Sequence, residues 1–214
     1  MPTAVSPVDI CNLSFDLLRH KDKVTSIETP ESDSEALGAR WYDVTRRSTL
    51  GAYAWNFART RAVLTRNNTA PAFGYSDAYL LPNDFLNVVF IGDNYKDDYE
   101  TEYSVEEGQI LIDNNAADSL NLCYVRDITS VARFDPLFVE LLTAELAIRF
   151  GNAITGLNKG LKEIYAWKKE LEAKARTKNG RDNPIKQRDI SPVMIKRSTA
   201  TQGKTYTDGK HLFT

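Results

Sequence analysis

Cysteine and histidine are scarce. The 214 residues hold two of each: Cys11 and Cys123, His20 and His211. Two cysteines cannot build a disulfide scaffold or a four-cysteine zinc site, and two histidines leave little imidazole for metal ligation or general-base chemistry. Long apolar runs are missing as well. Nothing approaches the ~18 uncharged apolar residues of a membrane-crossing helix, and the N-terminus MPTAVSPVDICNLSF lacks the basic segment and apolar run of a signal peptide. The expectation is a protein of the reducing cytoplasm with no membrane partner. The sequence also lacks GxSxG, HExxH, CxxC, Walker A and GxGxxG patterns. No catalytic residue, cofactor or metal is expected.

What is present is ordinary in amount and unusual in arrangement. A hydrophobic content of 42% and a charged content of 26% describe a globular chain, long enough to bury roughly 70% of its unfolded surface without staples. Net charge is −2, which hides a segregation. Residues 75–130 carry 2 basic and 12 acidic side chains, a sum of −10, whereas residues 155–214 carry 14 basic and 6 acidic, a sum of +8. Two surfaces of opposite sign can select different partners.

The hydrophobic period changes along the chain. Ser6-Pro7-Val8-Asp9 opens a helix with a cap, a proline at the first helical position and an acid near the dipole. Val8, Cys11, Phe15 and Leu18 continue it at helical spacing to about residue 20. A second helix is predicted from residue 32 or 34 to about 57, with Leu37, Trp41, Val44 and Ser48 on its inner stripe and Trp55 and Phe57 closing it. Residues 61–125 then read as five or six short antiparallel strands with one wet face. Helix returns at Asp135-Pro136, with Leu137, Leu141, Ala144 and Ile148 in one stripe, apolar over so wide an arc that it suits the centre of the core. A last helix runs from about 161 to the stop at Asn179-Gly180.

The expected fold is therefore α+β: an antiparallel helical bundle, residues 1–58 and 133–180, with an inserted antiparallel β-meander, residues 59–132, and an extended C-terminal arm, residues 181–214. Phe15, Trp41, Trp55, Phe57, Leu141 and Ile148 are the expected core residues.

Each reactive side chain has a plain structural reading. Cys11 and Cys123 fall on apolar or alternating positions and read as small buried hydrophobes. His20 closes a helix, where a partly charged imidazole is favourable. Asp93, Asp97, Asp98, Glu100, Glu102, Glu106 and Glu107 are dense enough for a glycosidase pair or a calcium loop. No pair stands out, however, and a solvated acidic face accounts for them. Lys159, Lys162, Lys168, Lys169, Lys174, Arg176 and Lys178 suit a nucleic acid, but Glu163, Glu170 and Glu172 interleave with them as helix-surface pairs do. The arm offers Arg181, Lys186, Arg188, Lys196 and Arg197 with the apolar spots Val193, Met194, Ile195, Leu212 and Phe213, a composition suited to docking on another protein.

An ordered set of short motifs then carries a likeness. It begins with Cys11-Asn12, Leu17-Leu18, Ser26-Ile27-Glu28 and the helix start at 31–36. Arg46, Leu50 and Trp55-Asn56-Phe57-Ala58 follow, and Tyr75 to Tyr79 leads into Leu81-Pro82-Asn83-Asp84. It closes with Phe134-Asp135-Pro136-Leu137-Phe138, Leu142, Leu146-Ala147, Ile154-Thr155 and Tyr165. In this order, over roughly residues 8–175, the chain resembles the tail tubular protein A family, the head-to-tail adaptors of short-tailed phages (podoviruses).

The resemblance implies a virion structural protein of the tail and neck. It would form a twelve-membered homo-oligomeric ring joining the portal protein to the tail nozzle (a tail tubular B-like protein). Tail fibres are a possible further partner, and genomic DNA would pass through the ring without specific binding. The arm would dock on the portal or on a neighbouring copy. The acidic residues 93–107 would face the channel lumen, where they would keep DNA sliding, or the nozzle. A nucleic-acid-binding module using the basic C-terminal 60 residues is the alternative, and a carbohydrate hydrolase using the acidic loop is a third.

Overall fold

The computed structural model describes residues 5–93, 102–154 and 159–182. In chain order these form helix α1 (Pro7–Leu17), helix α2 (Asp33–Gly51), a 3-10 turn (Asn56–Ala58) and strands β1 (Arg59–Thr65), β2 (Asp77–Leu80) and β3 (Phe85–Ile91). Strands β4 (Tyr103–Glu106), β5 (Gln109–Ile112) and β6 (Ser119–Arg126) follow, then a 3-10 turn (Val131–Arg133) and helices α3 (Pro136–Ile154) and α4 (Lys159–Asp182). The chain is mixed helix and antiparallel sheet, an α+β protein.

The helix starts follow their local chemistry. Ser6 and Asp9 form a reciprocal capping box on α1, the Ser6 hydroxyl accepting the Asp9 N–H and the Asp9 carboxylate accepting the Ser6 N–H. Pro136 takes the first position of α3, and the Asp135 carboxylate accepts the Leu137 N–H at 2.9 Å. The end of α1 uses a Schellman arrangement: the His20 N–H donates to the Phe15 carbonyl and the Arg19 N–H to that of Asp16, with Arg19 left-handed at φ +56°.

Three boundaries differ from the sequence expectation, the first being α1, which ends at Leu17 instead of near residue 20. Helix α2 stops at Gly51 instead of near residue 57. The reversal lets Trp55 turn back so that its indole N–H donates to the Thr49 carbonyl at 2.9 Å, one of the acceptors that the last turn of a helix leaves open. Helix α4 passes through Asn179-Gly180 to Asp182.

The strands are antiparallel, but their order is not that of a meander. One sheet runs β1-β6-β3 and the other β2-β5-β4, so among neighbouring strands only β4 and β5 are consecutive in the chain. Central β6 is covered on both faces. Cys123 and Val125 face the helices, together with Val89 and Phe90 of β3. Leu120, Leu122 and Tyr124 face the second sheet, where they meet Tyr79, Ile110 and Ile112. The result is three layers: helices, sheet, sheet. The wet face expected of the strands is therefore found on the outer side of the second sheet, where Leu80 lies exposed, and along the edge strand β1 of the first, where Val63 is exposed.

Helix α3 is the hub of the helical layer, touching α1, α2 and α4. Phe15 stacks on Phe150 with ring centroids 4.5 Å apart. Phe15, Leu141, Ile148 and Trp55 are buried as expected. Trp41 and Phe57 are only half-buried at the margin of the core, and the Arg149 guanidinium lies 5.1 Å from the Trp41 ring centroid.

The inner face of α2 is also rotated from the expected stripe. Val44 is exposed, and the buried positions are Ser34, Glu35, Gly38, Tyr42, Thr45, Arg46, Thr49 and Leu50. Polar groups can occupy this face because each charge on it is partnered. Arg46 pairs with Asp43 and Asp127 and donates to the Ile128 carbonyl at 2.6 Å.

Candidate interaction surfaces

The helical layer and the strands meet at an aromatic knot. Trp55 lies edge-on to Phe138 at 5.1 Å between centroids, and Phe57 to Phe138 at 5.2 Å. Phe134 meets Phe138 at 4.9 Å and Phe57 at 6.0 Å. Each such pair adds about 0.5–1.5 kcal/mol beyond its buried area. Two segments some eighty residues apart in sequence, Trp55 to Ala58 and Phe134 to Phe138, thus form one cluster at the base of the strands.

The buried charges belong to the fold. The Glu35 carboxylate accepts from the Thr25 hydroxyl at 2.6 Å, the Thr25 N–H at 2.9 Å and the Glu31 N–H at 2.8 Å. These bonds, led by the Thr25 hydroxyl, hold its pKa down at about 2 and pin the loop before α2. At Arg46 burial opposes the charge, but the Asp127 and Asp43 carboxylates outweigh it and hold the pKa above its ordinary value. Asp77 lies beneath the 113–118 turn and accepts from Ser76, Asn114 and Ala116. Those bonds, the Ser76 hydroxyl foremost, and the nearby Arg66 keep its pKa low.

The thiols are held unreactive. Burial pushes Cys11 up to about 12 and raises Cys123 as well. His20 sits 3.1 Å from the Ser34 hydroxyl and packs on Phe15. Among the described residues no cluster of three or more His, Cys, Asp or Glu side chains could hold a metal ion, and no helix is long and apolar enough to cross a membrane.

The expected acidic surface is only partly within view. Asp97, Asp98 and Glu100 lie outside the described residues. Asp93 follows β3 of the first sheet, where its carboxylate accepts from the Asn121 amide at 2.6 Å. Glu102 is exposed ahead of β4, and Glu106 and Glu107 are exposed at the β4–β5 turn of the second sheet. The fold thus sets Asp93 on a different sheet from the adjacent pair Glu106-Glu107.

Of the expected arm, Arg181 lies exposed in the last turn of α4. Lys186, Arg188, Val193, Met194, Ile195, Lys196, Arg197, Leu212 and Phe213 lie outside the described residues. Helix α4 spends much of its basic charge internally. Lys168 pairs with Glu145 at 2.7 Å and Glu172 at 3.6 Å, Lys174 with Glu170 at 2.8 Å, and Lys178 with Asp135. Arg176 lies over the Tyr53 ring, 4.5 Å from its centroid.

One surface escaped the sequence reading. The loop between β1 and β2 folds beside the β4–β5 turn and leaves a groove of about 420 Å³ on the outer face of the second sheet. The paired strand residues Ala78 and Leu111 line it together with Tyr75, Gln109, Glu106 and Glu107. Phe73 is 88% exposed on the loop. Its neighbours Pro71 and Gly74 mark the segment as a loop in the sequence. No sequence signal distinguishes a solvent-facing phenylalanine from one that folds inward.

No protein-family model matches the chain, and no curated protein matches it.

Proposed function

We propose that this chain is a structural head-to-tail adaptor of a short-tailed phage, similar to the tail tubular protein A family. In this reading copies assemble into a ring, twelve to a turn, between the portal protein and the tail nozzle. The ring extends the DNA channel in the virion neck and offers a surface to tail fibres. The helices form the bundle that packs side by side around the ring, the strands form its insert, and the residues after α4 form the arm.

The observation that carries the reading is the aromatic knot. The resemblance rests on motif blocks scattered along the chain, and two of them, Trp55-Asn56-Phe57-Ala58 and Phe134-Asp135-Pro136-Leu137-Phe138, share one cluster through Phe138. The internal pairing of Lys168, Lys174 and Lys178 further favours the adaptor over a nucleic-acid-binding module, because a paired lysine has less charge to offer a phosphate.

The test is to mix the full-length protein with portal rings and examine the mixture by negative-stain imaging and native mass measurement. A second ring stacked coaxially on the portal is expected. Failure to associate with portal, or tight binding to duplex DNA that falls steeply with salt, overturns the adaptor reading. In an imaged ring, residues 93–107 facing the channel would place them at the lumen, and residues 93–107 turned outward would place them at the nozzle.

A further inference from the structure

We propose that the groove beside Phe73 is the dock for the basic C-terminal segment, residues 184–214, of a neighbouring copy, so that the ring closes arm-into-groove. The inference rests on the ring reading above and names the contact that would build the ring.

The groove has the anatomy of a docking site. Its lining is apolar at Ala78 and Leu111, with Ala78 almost fully buried. Phe73 is 88% exposed at its side. A loop-tip phenylalanine left in water forgoes the stabilisation of burial, and aromatic anchors of this kind dominate protein interfaces once covered. Tyr75 supplies a second aromatic ring and Gln109 a neutral donor and acceptor.

The charge of the groove selects its occupant. Glu106 and Glu107 line it, and no Lys, Arg or His is among its lining residues. Neither glutamate makes an ion pair among the described residues, and Glu106 accepts only the Ser104 hydroxyl, at 2.6 Å. Glu107 is held in the left-handed region at φ +47°, followed by Gly108 at φ +75°. A two-residue turn with both residues at positive φ is served at lower cost by Asn or Gly in its first place, so the fold tolerates strain to present a carboxylate there.

The segment 184–214 is the complement in composition. It carries six basic side chains, Lys186, Arg188, Lys196, Arg197, Lys204 and Lys210, against Asp189 and Asp208, a sum of +4. Its apolar run Val193-Met194-Ile195 directly precedes Lys196-Arg197, which matches an apolar lining with two carboxylates. Arginine and lysine also gain from the faces of Phe73 and Tyr75.

The first experiment titrates a labelled synthetic peptide of residues 184–214 into full-length protein whose own segment is charge-reversed (K186E/R188E/K196E/R197E), followed by fluorescence anisotropy. This leaves the groove open and does not depend on ring formation. Binding is expected, weakened by about tenfold or more when E106K/E107K or F73S is added. It should also weaken at about 0.5 M salt, where the screening length is below roughly 5 Å. Circular dichroism of each variant checks that these exposed changes leave the fold intact. Absence of peptide binding, or binding unchanged by both groove variants, overturns the proposal.

The second experiment tests docking between copies, with the parent protein run alongside: a parent that stays monomeric at every concentration would assign the groove to the chain's own segment and overturn the proposal. Full-length E106K/E107K, with its segment intact, is mixed with the charge-reversed variant, whose groove is intact. Docking between copies predicts that the mixture associates in sedimentation while neither variant does alone. A mixture that stays monomeric overturns it. If the peptide binds as expected and portal association fails, the adaptor reading falls and the dock stands.

Discussion

Asn56 and Asn179 clasp the turn after α2 to the last turn of α4. The Asn56 backbone N–H donates to the Asn179 side-chain oxygen at 2.9 Å, and the Asn56 amide donates to the Asn179 backbone carbonyl at 3.1 Å. The Asn179 amide in turn donates to the Ala54 carbonyl at 2.7 Å. A pair of residues 123 apart thereby holds the Trp55 turn against the end of a helix. This also explains why α4 runs past Asn179: the residue that reads as a helix stop is engaged in a tertiary contact that supports one more turn.

Replacing Asn179 with alanine leaves the Asn56 N–H and the Ala54 carbonyl unpartnered in a half-buried setting. A loss of about 1–3 kcal/mol in unfolding free energy is expected, read from urea denaturation. If the midpoint of N179A matches that of the parent, the clasp contributes nothing.

Glu35 makes stability depend on acid. Its folded-state pKa of about 2 lies below its ordinary value of 4.5, so the folded state favours the charged form. The stabilisation is fully present above about pH 4.5 and is lost as pH falls toward 2. In E35Q that loss is absent, while the Thr25 and Glu31 donors keep one amide oxygen to share. The expected outcome is a lower melting temperature for E35Q at pH 7 and a gap that narrows steadily below pH 4.5. A gap of constant size from pH 7 to pH 3 would assign the acid sensitivity to other carboxylates.

Gly151 marks a close approach of three helices. A Cβ there would stand 2.6 Å from Leu161 Cδ2 and 3.0 Å from Leu18 Cδ2. Alanine in mid-helix gains about 1 kcal/mol of propensity over glycine, but the overlap costs about 1–3 kcal/mol. G151A should therefore be neutral to destabilising in the parent. It should become stabilising in an L161A background, where the nearest atoms are gone. The comparison is a double-mutant cycle in denaturant, and the same effect of G151A in both backgrounds would refute the close approach.

The helix starts, the apolar α3 and the change of period at residue 59 were legible because each is set by neighbours within a few residues. Ser6 finds Asp9 within one turn, and α3 is apolar on every side that meets another helix. The inner face of α2 was not legible. Arg46 is buried only because Asp127 and the Ile128 carbonyl come to it from the end of β6, more than eighty residues away. Within α2 itself, a stripe through Leu37, Trp41 and Val44 is the more apolar choice.

The same division holds for the candidate surfaces. Segregation of charge, the near-absence of imidazole and thiol, and the position of an Asn-, Pro- and Gly-rich loop are properties of composition and spacing, and the sequence by itself determines them. Three matters were left to the tertiary structure. It decides that Asp93 lies on a different sheet from Glu106 and Glu107, that Lys168 and Lys178 of α4 are paired with Glu145 and Asp135 from outside the helix, and that Phe73 points into water over an acidic groove. The physical reason is that exposure and pairing depend on which strands lie side by side, and the order β2-β5-β4 joins segments with no periodic signal to announce one another.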